Sequence, residues 1–132
     1  MDNKSVFLRQ SVLTNLIQGT TFYVALYTTT PTAPDDTGGV EVSTTGTAYA
    51  RTAVTFNTGP YDAGGMVQAV SNDTSVTFST ATASWGTVVG VGIYDAVTAG
   101  NLYYFGDVDS PQLVGIGDDV VFNTGSLVLQ EA

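Results

Sequence analysis

The sequence contains neither cysteine nor histidine. The first absence excludes a disulfide framework, an iron–sulfur cluster and a thiol nucleophile. The second removes the usual general base at neutral pH, the Ser-His-Asp triad and the commonest transition-metal ligand. Positive charge is almost as scarce. Lys4, Arg9 and Arg51 stand against twelve acids, a formal net charge of −9. Phosphate backbones repel such a chain, so no direct nucleic-acid partner is expected. No apolar run is long enough to span a bilayer, so no membrane partner is expected. No sustained apolar run or small-residue cleavage site follows Lys4 and Arg9, so a signal peptide is not expected. Charged residues make up only 11% of the chain, so much of the surface must be Thr, Ser, Asn, Gly and exposed apolar area. Surfaces of that kind suit packing against other proteins.

What is present is β-forming sequence, in a length that fits one domain. The chain is organised around Trp85-Gly86-Thr87-Val88-Val89-Gly90-Val91-Gly92-Ile93-Tyr94-Asp95, which carries the single tryptophan. The β-branched run predicts a buried central strand. Gly90 and Gly92 inside it mark places where another backbone or a large ring comes close. The strand is read over Val88–Asp95, Gly86 and Tyr94 are counted with it in the fold core, and Trp85 is the largest apolar block of the expected core. After turn signals at Ala96–Gly100, Asn101–Val108 reads as the return strand of an antiparallel hairpin. Phe22–Thr28 is a second clear strand, aromatic and β-branched throughout. Tyr49–Asn57, Met66–Ser71, Ser75–Ser79, Val120–Phe122 and Ser126–Gln130 read as further short strands. Met66–Ser71 and Ser75–Ser79 are expected to pair across Asn72-Asp73-Thr74. Strands recurring with these breakers predict an all-β, single-domain antiparallel β-sandwich or barrel.

One helix is expected, from Ser5 as the cap to Gln18, ended by Gly19. Leu8, Val12, Leu13, Leu16 and Ile17 make its apolar stripe. Residues 1–19 are read as an N-terminal helix or arm, and residues 20–132 as the β-rich domain. The arm either lids one end of the β core or packs on another subunit.

Carboxylates are the only plentiful reactive groups. Asp35 with Asp36, Asp107 with Asp109, and Asp118 with Asp119 fall in expected loops. A carboxylate pair can hydrolyse a glycosidic bond across a cleft, but Asp is above all a turn former. No twelve-residue calcium loop, nucleophile elbow or phosphate-binding loop occurs. The expectation is therefore no catalytic residue, no metal and no cofactor. The seven tyrosines suit a core and subunit interfaces better than a sugar platform.

Ala25-Leu26-Tyr27-Thr28-Thr29-Thr30-Pro31-Thr32, Glu41-Val42-Ser43, Tyr49-Ala50-Arg51, Trp85-Gly86 through Ile93-Tyr94-Asp95, and Gly100-Asn101-Leu102-Tyr103-Tyr104 together resemble small virion proteins of tailed bacteriophages. Members of that set are often labelled tail fibre proteins, and similar β-rich proteins serve as capsid cement. The resemblance runs from about Phe22 to Leu129 and brings no catalytic residue with it. It implies a virion structural protein assembled in the host cytoplasm. The leading expectation is a cement (decoration) subunit on the capsid exterior, bridging the major capsid protein and copies of itself as a homotrimer. The alternative is a tail fibre or host-glycan receptor-binding domain. Within this reading the contact residues are expected in the N-terminal segment (Lys4, Arg9) and the loops Thr32–Gly39 (Asp35, Asp36) and Tyr61–Gly65 (Tyr61). Arg51, the one basic residue of the β body, is expected to pair with a carboxylate such as Glu41.

Overall fold

A computed structural model describes all of residues 1–132. The chain is all-β and antiparallel, with one short N-terminal helical segment. It forms two compact units, each built from segments distant in sequence. One comprises Phe22–Ala53 and Thr77–Val121; the other comprises Met1–Thr21, Val54–Val76 and Phe122–Ala132.

The first unit holds a five-stranded sheet. Its strands are β1 (Phe22–Thr29), β2 (Val40–Glu41), β3 (Thr52–Val54), β7 (Gly86–Tyr94) and β8 (Leu102–Val114), in the order β2-β1-β7-β8 with β3 also on β1. The expected central hairpin is present as β7 against β8. β1 is interior too, and Val24, Ala25, Leu26 and Tyr27 are all buried. Consecutive buried residues require cover on both faces, which explains why this strand reads as unbroken apolar sequence. Trp85 lies just before β7, buried, with Nε1–H donating to the Thr47 carbonyl at 2.8 Å. Its ring meets Tyr49 edge-on at 5.4 Å and Phe78 at 6.4 Å. Such a partnered indole supplies apolar area without a stranded donor.

The two internal glycines act as expected. A Cβ on Gly92 would lie 2.6–3.0 Å from the Tyr27 ring and hydroxyl. Tyr27 pairs with Gly90, so its ring leans diagonally along the sheet over Gly92. A Cβ on Gly90 would meet Thr30 and come within 3.0 Å of the Gly106 carbonyl.

β8 does not stop at Val108. It runs on through Pro111 to Val114. Between the pairs Gly90–Asp107 and Val88–Gln112, the single residue Val89 faces the four residues Val108–Pro111. Pro111 fits there because a bulge on an edge strand needs no ladder hydrogen bond from it.

The second unit holds a three-stranded sheet, β10 (Val128–Glu131), β5 (Gln68–Ser71) and β4 (Thr58–Asp62), in that order. β4 replaces the loop expected around Tyr61, and Tyr49–Asn57 is a strand only over Thr52–Val54. β5 does not turn back on β6 (Val76–Thr77); it pairs with β10 and β4, while β6 pairs with β9 (Val121–Phe122). The reason lies at Asn72, which is a buried anchor and no turn tip. Its Nδ2 donates to the carbonyls of Thr74 and Asn123 at 2.7 and 3.1 Å, and its Oδ1 accepts the Leu127 N–H at 2.9 Å. One amide thus ties the turn after β5 to the connection between β9 and β10 and helps hold β10 beside β5.

The helix is shorter than expected. α1 spans Val6–Val12, with Ser5 Oγ accepting the Leu8 N–H at 3.1 Å, and a π-helical turn follows over Leu13–Ile17. Gly19, at φ +76°, ends it. The predicted stripe is only partly buried. Leu13 and Ile17 face inward, whereas Leu8 and Leu16 are exposed. The inward column is Arg9, Leu13 and Ile17, spaced by four residues, so the helix is rotated from the orientation that burying all five apolar residues requires.

Candidate functional site

The densest polar constellation sits in the first unit, around Arg51. The register that opposes Glu41 to Tyr27 places the Glu41 carboxylate over β1. Arg51 lies just before β3, and its side chain is only 9% exposed. Its Nε and Nη2 donate to the two Glu41 oxygens at 3.0 and 2.9 Å, a bidentate pair. Nη1 donates to the carbonyls of Ala96 and Ala99 at 3.0 and 2.7 Å. The guanidinium carbon stands 3.7 Å from the centroid of the Tyr94 ring. A planar fork with fixed donor directions can satisfy all of these partners together; an ammonium cannot.

Two tyrosines complete the network. Tyr49 donates its hydroxyl to Glu41 at 2.6 Å and accepts the Leu26 N–H at 3.0 Å. The Tyr27 and Tyr94 hydroxyls bond to each other. Burial, then the bond to Tyr94, pushes the Tyr27 phenol far above its ordinary pKa. Burial, then the bond to Glu41, does the same to Tyr49, while the Leu26 N–H works the other way. Burial pulls the Arg51 pKa down, but the bonds and charge of Glu41 outweigh it and the net shift is upward.

The two carbonyls that Arg51 holds belong to the turn after β7. That turn is closed by Asn101, whose N–H and Nδ2 donate to the Asp95 carboxylate at 2.7 and 3.0 Å. These bonds, led by the backbone N–H, hold the Asp95 pKa below the usual carboxylate range. Beside the network lies an open cleft of about 420 Å3, walled by Val42, Ser43, Thr44, Val97 and Thr98 with Glu41 and Arg51 at its base. Glu41 is already neutralised and hydrogen-bonded by Arg51 and Tyr49. The arrangement therefore clamps a loop to a sheet and presents no activated nucleophile.

The remaining expected contact residues are scattered. Asp35 and Asp36 are exposed at the tip of a loop closed by the Thr32–Thr37 bridge. Tyr61 is 40% exposed on β4, and Lys4 pairs with Glu131 of the same unit. Arg9 was expected at the surface but is 3% exposed. Its Nη1 donates to the Lys4 carbonyl and its Nε has no partner. No group of three or more acidic side chains converges to hold a metal, and no helix is long and apolar enough to cross a membrane. Composition pointed to the Arg51–Glu41 pair. Nothing in the sequence pointed to the Tyr27–Tyr94 bond or to the buried anchor at Asn72.

A family model described as podophage GP4 fiber I protein gp80 matches residues 5–130. No curated protein matches the chain.

Proposed function

We propose a contact-making, non-catalytic role in the tail-fibre apparatus for this chain, which belongs to the podophage GP4 fiber I protein gp80 family. As a member it is a structural protein of a tailed-phage virion. The observation that carries the fibre reading is the extent of the match. It runs over residues 5–130 and takes in segments of both compact units, so the description applies to the fold as a whole. The capsid-cement role, also implied by the sequence resemblance, has no such observation behind it, and the fibre reading leads.

Support for contact over catalysis comes from the acids. Glu41 is held in an ion pair, and Asp35, Asp36, Asp107, Asp109, Asp118 and Asp119 are exposed, none of them facing a cation. The partners in this reading are other virion proteins and further copies of the chain. Immunogold labelling of intact particles with antibody to this chain tests the placement. Label confined to the tail is the expected result; label spread over the shell overturns the fibre reading and restores cement.

A further inference from the structure

We infer that the outer edge of β8, over Leu102–Asp107, is a docking edge for an extended, basic segment of a partner protein. β8 is the last strand of its sheet, and no residue from Leu102 to Leu113 is buried. An uncovered edge strand is a template for another strand. Its regular part is short. The register with β7 is unbroken from Tyr104 to Asp107, and the bulge Val108–Pro111 then turns the edge away. A partner strand therefore has four regular residues, Tyr104 to Asp107, to pair with before the bulge stops it.

Side-chain chemistry selects the occupant. Tyr103, Phe105, Asp107 and Asp109 are exposed at alternate positions, two aromatics followed by two carboxylates. The chain has no free cation to meet those acids. Lys4 pairs with Glu131, Arg51 with Glu41, and Arg9 is buried. Of the twelve acids in the sequence, only Glu41 and Glu131 meet a cation, and the other ten do not. A second copy of this chain is a poor occupant, because it carries the same net charge of −9 and no free cation to offer the acids of this edge. A strand alternating Lys or Arg with apolar residues fits. Its cation meets Asp107, its apolar side chains lie along Tyr103 and Phe105, and Asp109 at the bulge adds to the negative charge that attracts it. The bulge and the acids thus block homotypic stacking while admitting a partner of opposite charge.

This inference deepens the structural-subunit reading by giving one partner's chemistry. Its test reads binding alone, so tail or shell placement leaves the result unaffected. The probe is a ten-residue peptide alternating Lys with Val, with a Glu–Val peptide as control, added to the isotopically labelled full chain. The expected result is amide shifts and slowed hydrogen exchange confined to Leu102–Asp107 with the Lys peptide. Binding weakens at least tenfold between low and high salt, and the Glu peptide gives no shifts. Asp107→Lys with Asp109→Lys weakens binding at least tenfold with the melting temperature kept. If that pair fails to fold, Asp107→Asn with Asp109→Asn is expected to weaken binding in the same direction. Equal binding of both peptides, a footprint elsewhere, no shifts at millimolar Lys peptide, or pairing of two copies through this edge overturns the inference.

Discussion

The guanidinium of Arg51 grips the Glu41 carboxylate along its edge through two nitrogens and stacks over the Tyr94 ring, its carbon 3.7 Å from the centroid. The same group holds the carbonyls of Ala96 and Ala99, so one side chain joins β2, the end of β7 and the turn that leads into β8. Removing it strands a partly buried carboxylate and two carbonyls at once. Arg51→Ala is expected to cost about 2–4 kcal/mol. Arg51→Lys should recover less than half of that, since an ammonium cannot reproduce the fork. Thermal melting of the two variants checks both. Wild-type stability in Arg51→Ala contradicts a clamping role.

Gly92 lies under the Tyr27 ring, where a methyl group has no room. Gly92→Ala is expected to destabilise by ~1–3 kcal/mol through forced displacement of that ring. Gly106, across the hairpin, has nothing within 4 Å of a built Cβ. Gly106→Ala should therefore change stability by less than about 1 kcal/mol. Denaturant titrations of the pair read the contrast, and equal effects refute the close approach at Gly92.

Asn72 satisfies three backbone groups from full burial. Asn72→Ala leaves the Leu127 N–H and two carbonyls without these partners, a cost of about 2–4 kcal/mol. Hydrogen exchange locates the damage. The Leu127 amide should lose protection before the amides of β7 do.

The buried tyrosines set an alkaline limit. Both Tyr27 and Tyr49 have raised pKa values in the folded chain, from an ordinary 10.0. Each group needs its proton to stay folded, so its stabilisation is complete below about pH 10 and declines as pH rises beyond that. Phenolate absorbance during a pH titration should show these two silent until the protein unfolds. Early ionisation of all seven tyrosines contradicts the network.

The hairpin of β7 and β8, β1 and the role of the internal glycines were legible because their signals are local: β-branched runs, and glycine where a strand has no need of one. The Arg51–Glu41 pair was legible from scarcity, since a lone cation among carboxylates has few alternatives. The pairing partners of β5 and β10 were hidden. Asn72-Asp73-Thr74 has the composition of a turn, and only tertiary packing makes Asn72 an anchor. Arg9 was misread for a related reason. Helical spacing places it in one column with Leu13 and Ile17, but its charge argues for solvent. The extension of β8 beyond Val108 was hidden, because a proline such as Pro111 continues a strand only where that strand lies at an edge or a bulge.

The central claim is that this chain works by contact within the phage tail. An asymmetric reconstruction of the intact particle tests it most directly. The account predicts density for the five-stranded sheet, with Trp85 packed against Tyr49 and Phe78, at the base or along the length of the tail fibres. Finding that sheet arrayed over the capsid shell, and absent from the tail, would contradict it.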